Sequence, residues 1–342
     1  MTTLVNRQIV LASRPAAKAG VEHFRMQTAP LDADALAEGQ VLVRHHWLSL
    51  DPYMRGRMNE GRSYAEPQPL DEVMIGGTAG EVVASRHPGY AVGDRVVGMG
   101  GWQEYSVVDA RQRGTLHRVD TRQVPLSAYL GAVGMPGVTA WVGLQTIVEP
   151  QAGQTVVVSA ASGAVGSVVG QLAKARGCRA VGIAGGAEKC AWVREVAGFD
   201  ACIDHKAHPD LRSLSQALKA ACPDGIDGAF ENVGGLLLDA VMLRMNAFGR
   251  IAVCGMIAGY DGQPLPMANP ALILVSRLKI QGFIVSERMD LWPAALAELG
   301  GLVASGRLQY RETVADGLAS APAAFIGLLE GRNFGKQLVR LV

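Results

Sequence analysis

The residues with the clearest chemical capacity are Ala161-Ser162-Gly163-Ala164-Val165-Gly166. They follow Thr155-Val156-Val157-Val158-Ser159, a β-branched run of the kind that sits inside a parallel sheet. Val165, Val168, Val169 and Leu172 then recur at helical spacing, and Gly177 stands where a helix would stop. Strand, glycine turn and helix in this order make a cradle for a pyrophosphate. Gly163 puts no side chain in the way of a phosphate, and Gly166 lets the helix pack closely on the strand. The helix N-terminus adds free N–H groups and a partial positive charge. Ala161 replaces the first glycine of the usual G-x-G-x-x-G pattern, so it is the strand–helix context that assigns a dinucleotide here. The plain alternative is an ordinary βα turn.

The type of dinucleotide is read at the end of the next strand, Arg179 to Ala184, which Gly185 and Gly186 close. An NAD site places a carboxylate about 20 residues beyond the glycines, where it binds the ribose hydroxyls. No acid ends this strand. Lys189 follows at the start of the next predicted helix, where an ammonium meets a 2′-phosphate. Glu188 either pairs with Lys189 or takes the ribose role itself. The balance favours NADP(H).

Three tyrosines are candidates for contact with a substrate. Tyr260 lies on a loop leaving the C-terminal end of a parallel strand, the edge at which open α/β sheets bind ligands. Its hydroxyl is placed to donate to a carbonyl oxygen or supply a proton. Tyr53 sits in a helix-like turn begun by Asp51-Pro52, with Asp51 as the expected cap. Tyr64 lies in a Gly/Pro-rich loop, either as a lid residue or as a merely buried or exposed side chain. Arg55 and Arg57 are expected to be structural ion-pair partners. No Ser-His-Asp set or poised cysteine is apparent.

These groups need a scaffold, and 342 residues suit two domains. Residues 1 to about 125 are strand-rich and punctuated by Gly and Pro, with strands expected at Val41 to Leu50, Gly80 to Ala84, Arg95 to Gly98 and Tyr105 to Val108. From about 150 to 285, strands and helices alternate, and six strands, the last spanning Lys279 to Val285, predict a doubly wound parallel sheet. Strand character returns in Gln309 to Val314 and Lys336 to Val342. The expected domains are therefore 1–125 with 306–342, and 126–305.

A net charge of +1 with interspersed signs predicts no nucleic-acid partner. No apolar run approaches the ~20 residues that span a bilayer, so no membrane association is expected. Met1 to Arg7 lack the apolar stretch of a signal peptide, which predicts a cytoplasmic protein. The five cysteines, Cys178, Cys190, Cys202, Cys222 and Cys254, form no C-x-x-C pair and read as reduced thiols. His45 and His46 point to opposite faces of a strand and cannot share one ion. A metal-free protein is expected.

Longer motifs carry a family resemblance. They are Leu50-Asp51-Pro52-Tyr53-Met54-Arg55-Gly56-Arg57-Met58, Val133 to Ala140, Ala160 to Gly166, Glu231-Asn232-Val233-Gly234-Gly235, Val253 to Ile257, and Gly331-Arg332-Asn333-Phe334-Gly335-Lys336. In this order the chain resembles the zinc-independent medium-chain dehydrogenase/reductases, and most closely their prostaglandin reductase, leukotriene hydroxydehydrogenase, curcumin reductase-like and alkenal reductase-like group. The resemblance implies a GroES-like β-rich catalytic domain around a Rossmann domain, NADPH as reductant, a homodimer, and reduction of a carbon–carbon double bond beside a carbonyl. Hydride would go to the β-carbon of the enone and a proton to the α-carbon.

Site residues follow from the same resemblance. Gly163 and Gly166 match the pyrophosphate loop, Lys189 the 2′-phosphate lysine, and Asn232 an asparagine near the ribose. Cys254, Gly255, Met256, Ile257 and Tyr260 match a segment beside the cofactor. Phe283, Ile284 and Val285 match the strand lining the nicotinamide, and Asn333 an asparagine of the returning tail that holds the cofactor. Where the family usually has a tyrosine for the 2′-phosphate, Asp204-His205-Lys206 supplies His205. Quinone reduction is the alternative activity, and a non-catalytic NADPH-binding protein the alternative class.

Overall fold

The computed structural model describes residues 3–61, 63–112 and 114–342. The chain divides into two units, Met1–Leu130 with Glu312–Val342, and Gly131–Arg311.

Strands β1 (Thr3–Leu11), β2 (Phe24–Asp32), β3 (Gln40–Ser49), β4 (Thr78–Ser85), β5 (Arg95–Gly98), β6 (Tyr105–Asp109) and β7 (Leu116–Arg118) belong to the first unit, with the short helix α1 (Tyr53–Arg57) after β3. The second unit holds α2 (Met135–Gly143), β8 (Thr155–Val158), α3 (Gly166–Ala175), β9 (Arg179–Ala184), α4 (Ala187–Glu195), β10 (Ala201–Asp204), α5 (Leu211–Ala221), β11 (Ile226–Glu231), α6 (Leu236–Met242), β12 (Met245–Val253), α7 (Ala271–Val275), β13 (Lys279–Gly282) and α8 (Trp292–Ala304). The chain then returns to the first unit as β14 (Glu312–Asp316), α9 (Ala321–Leu329) and β15 (Lys336–Arg340).

In the first unit the sheet order is β14-β15-β3-β4-β5-β7, with β6 also on β3, and β1-β2 forms a separate antiparallel pair. Its core gathers around Trp102, which stacks on Phe24 at 5.2 Å and meets Phe325 edge-on. Met54 and Met58 of α1 are buried in the same cluster. A buried ion pair ties α1 to the returning tail. Lys336 Nζ donates to Asp51 Oδ1 at 2.7 Å and to the Leu50 carbonyl at 2.6 Å, and Ser49 Oγ donates to the same Asp51 carboxylate.

Asp51 is therefore not the side-chain cap expected of it. Pro52 holds the N-cap position of α1, and Asp51 accepts from Met54 N through its backbone carbonyl. The joints also fall later in the chain than 125 and 305. Leu126 and Leu130 pack with Ala79 and Leu338, and Gln171 holds Gln309 through hydrogen bonds in both directions.

The second unit is a six-stranded sheet in the order β10-β9-β8-β11-β12-β13, with all strands parallel. β8 is wholly buried, as its β-branched sequence requires. The strand order reverses between β8 and β11, and ligands of open α/β sheets bind outside the carboxyl ends at such a point. β13 ends at Gly282, so Phe283 to Val285 lie beyond the strand predicted to include them. Phe283 packs edge-on against Phe230 at 6.1 Å, and Val285 begins a 3-10 turn.

Candidate cofactor and substrate site

The glycine turn forms at the sequence position expected. Ala160 adopts a left-handed conformation, φ 48°, and reverses the chain after β8. Gly166 opens α3 so close to that turn that a Cβ there would stand 2.4 Å from the Ala160 carbonyl oxygen. Glycine is obligatory at this contact, and it seats the N-terminus of α3 over the strand end. Ala161 is buried against the adjoining strand, where a Cβ at Gly182 would lie 2.7 Å from its methyl group. An alanine thus fits the place of the first glycine.

At the switch point a buried carboxylate gathers the neighbouring loops. Glu231, the last residue of β11, accepts at Oε1 from Ser159 Oγ at 2.9 Å, Val233 N at 2.6 Å and Gly234 N at 2.7 Å. Its backbone carbonyl accepts from Cys254 N at 3.0 Å and Gly255 N at 3.3 Å. Burial holds its pKa above the usual carboxylate range, against the hydrogen bonds from Gly234, Val233 and Ser159. Asn232 is fixed between the same strands. Its Nδ2 donates to the Ser159 carbonyl at 2.7 Å, and its Oδ1 accepts from Cys254 Sγ at 3.0 Å. Burial also raises the Cys254 thiol, which leaves it a neutral donor rather than a nucleophile.

Beyond β12 the chain runs through Met256 into a 3-10 turn at Ile257–Gly259, pinned by Ile257 N to Asn232 O at 3.3 Å and Ala258 N to Val233 O at 3.0 Å. Tyr260 follows. Its hydroxyl lies above Gly255, where an added Cβ would be 3.4 Å from the oxygen. Asn232, Cys254, Gly255 and Tyr260 are thereby brought together at the carboxyl edge of the sheet.

A second group assembles at the ends of β9 and β10. Gly186 is the N-cap of α4 at φ 104°, and Lys189 stands in the first turn of that helix. His205 and Lys206 converge over Gly185, where a Cβ would lie 2.9 Å from His205 Nε2 and 3.2 Å from Lys206 Cε. The Asp204 carboxylate is turned to the backbone, accepting from Gly186 N at 2.8 Å and Lys206 N at 3.0 Å. Burial lowers the Lys189 pKa, and the Lys206 charge adds to this against Glu188. Glu188 itself faces Arg311 at 3.9 Å. Lys206 was not singled out in the sequence, although its place beside His205 at a strand tip was the available signal.

In the first unit, burial and the nearby Asp51 raise the Tyr53 pKa, so its phenol is neutral across the ordinary pH range. The Arg57 guanidinium lies 6.0 Å from the Tyr53 ring centroid and 5.2 Å from that of the exposed Tyr64. It also donates to the Glu66 carbonyl at 2.9 Å. Among the described residues Arg57 is thus a cation–π partner of two tyrosines, not the ion-pair partner expected. Arg55 is buried and donates to Asn59 Oδ1 at 2.6 Å and to the Ala17 carbonyl. Asn333 Nδ2 donates to the Gly335 carbonyl of its own loop at 2.7 Å. His45 is buried on Ser106 Oγ at 2.9 Å, with a pKa lowered to about 3 by burial, while His46 faces Glu81 at 3.6 Å. Among the described residues no group of three or more His, Cys, Asp or Glu side chains could hold a metal ion.

Comparison with known proteins places this geometry. Family models described as the N-terminal domain of oxidoreductase and as zinc-binding dehydrogenase match residues 7–116 and 164–300. The chain is 45% identical to the NADPH-dependent curcumin reductase of Escherichia coli (strain K12), covering 98% of this chain and 97% of that protein. It is 45% identical to the NADP(+)-dependent 2-alkenal reductase of Nicotiana tabacum, over 87% and 86% of the two chains. The solved structure of CurA from Vibrio vulnificus in complex with NADPH superposes with a TM-score of 0.91 at 45% identity, over 98% of this chain and 99% of that one. The chain belongs to the medium-chain dehydrogenase/reductase family of curcumin, alkenal and prostaglandin reductases. The fold of that family, a largely antiparallel β domain and a Rossmann-like parallel sheet, is the fold seen here.

The Glu231 network yields a stability test for this reductase. Glu231→Ala leaves two loop amides and a hydroxyl without their acceptor, and should cost about 1–3 kcal/mol. Glu231→Gln retains an oxygen acceptor and should cost less. Urea denaturation of both variants reads the difference.

Proposed function

We propose that this chain is an NADPH-dependent reductase of the carbon–carbon double bond of α,β-unsaturated ketones and aldehydes. The observation that carries the reading is its near full-length 45% identity to an NADPH-dependent curcumin reductase. The donor set supports the cofactor, because cationic side chains stand at the tip of β9 and the Asp204 carboxylate is turned away to backbone amides.

In this reading the turn Ala161, Gly163, Ala164, Val165 and Gly166 receives the pyrophosphate, and Gly186, Lys189 and His205 receive the 2′-phosphate. Asn232, Cys254 to Ile257 and Phe283 to Val285 border the ribose and nicotinamide, and Asn333 is a further cofactor contact. NADPH, when bound, supplies the hydride that reduces the β-carbon. Tyr260 then donates a hydrogen bond to the carbonyl oxygen, where negative charge develops as the α-carbon awaits its proton. Tyr53 and Tyr64 are the substrate contacts contributed by the first unit, which we take as the catalytic domain. Tyr53, held neutral, serves as a donor and not as a base.

A neutral phenol can stabilise an enolate whose charge is delocalised, but it is a weak partner for an isolated alkoxide. The enzyme should therefore turn over an enone and leave the matching saturated ketone unreduced. Tyr260→Phe should lower kcat by about tenfold to a hundredfold with little change in KM. We also propose metal-independent turnover, so prolonged chelation should leave the rate unchanged. Equal use of enone and saturated ketone, or loss of activity that zinc restores, would count against this reading. No helix among the described residues is long and apolar enough to cross a membrane, and the free cysteines suit a reducing compartment such as the cytoplasm.

A homodimer completes the proposal. β13 is the last strand of its sheet and its residues are largely exposed. Beside it, α7 exposes Leu274 and Val275, and Phe248, with Arg277 4.7 Å above its ring, is exposed too. An open strand edge flanked by apolar side chains suits pairing with a second copy across a twofold axis. Light scattering should give the mass of two chains, and Leu274→Lys should shift it toward one. A monomeric wild type would exclude this interface.

A further inference from the structure

Two of the basic side chains at the β9–β10 tip differ in kind. Lys206 is an ammonium side chain, whereas the His205 imidazole gains its charge only by taking up a proton. Both stand over Gly185, close enough that a methyl group there would collide with His205 Nε2. The groups acting on the imidazole can be named from each surrounding element. Asp204 ends β10 and favours the charged form, while Lys206 on the following turn and Lys189 on α4 oppose it. Glu188 of α4 is directed to Arg311. Asp204 already accepts from two backbone amides. Without an anion, then, burial above all and then the two lysines leave His205 below its ordinary pKa and neutral at pH 7. A phosphate dianion among these three side chains would reverse that balance.

We propose that Lys206 joins Lys189 and His205 in selecting the 2′-phosphate, and that NADPH binding draws a proton from solvent onto His205. This rests on the cofactor assignment made above. The sign follows from linkage. His205 has a higher pKa in the complex than in the free protein, so its contribution is complete below the free-state pKa. It is lost as pH rises through the bound-state pKa.

Calorimetric titration of the intact enzyme with NADPH and NADH between pH 6.5 and 8.5, in buffers of different ionisation enthalpy, tests it. For wild type, the NADPH Kd should rise by about tenfold across this range, with net proton uptake at the lower end. NADH binding should vary little. His205→Gln should flatten the NADPH profile, and because any titration of the phosphate itself persists in that variant, the difference belongs to His205. Lys206→Ala should weaken NADPH by about tenfold or more at every pH while keeping the slope. Parallel profiles for wild type and His205→Gln, or no buffer-dependent proton uptake by the wild type, would overturn this proposal alone. Failure of NADPH to bind at any pH would overturn the cofactor assignment together with it.

Discussion

The site edge of the parallel sheet depends on one buried carboxylate. Glu231 receives a hydroxyl from the end of β8 and two amides from its own loop, and its backbone carbonyl receives the amides that follow β12. At a topological switch point the connections leaving neighbouring strands run to opposite faces of the sheet, and the backbone polar groups at those strand ends need partners. Satisfying them with one residue fixes Asn232, Cys254 and Gly255 relative to each other, and so sets where Tyr260 can place its hydroxyl. Burying a carboxylate is costly, and three donors on one oxygen are what offset that cost.

Charge is distributed differently at the ends of β9 and β10. The tip of β9 carries no acid, and the nearest carboxylate is occupied by backbone amides. Burial lowers the pKa of Lys189 and of His205, and the neighbouring cations add to it. Such an arrangement is tolerable on a half-exposed edge and becomes favourable when a phosphate joins it. The same contrast appears in the first unit, where the Lys336–Asp51 pair is sealed inside and anchors α1, while Arg57 holds the tyrosine rings by cation–π contact.

Local signals made part of this legible in the sequence. The β8 run, the glycine turn and α3 could be read because each depends on residues within a few positions, and Gly166 is required by a contact only six residues away. The six parallel strands followed from the same alternation. Long-range partners were the obstacle elsewhere. Asp51 looked like a helix cap because Lys336, which claims it, lies 285 residues further on. Arg57 looked like half of an ion pair because nothing local placed Tyr64 beside it. β2 carries little local signal because none of its residues is buried, and the core residues of the ribbon lie on β1. Lys206 was overlooked because its role depends on a clearance over Gly185 that only the fold creates.

The central claim is that the protein's polar groups are arranged for charge developing on an enone oxygen and not on an isolated alkoxide. It is tested most directly with NADPH carrying deuterium at the transferred position, an enone as substrate, and NMR of the product. The account predicts deuterium at the β-carbon of a saturated ketone. Deuterium at the carbinol carbon of an allylic alcohol would contradict it.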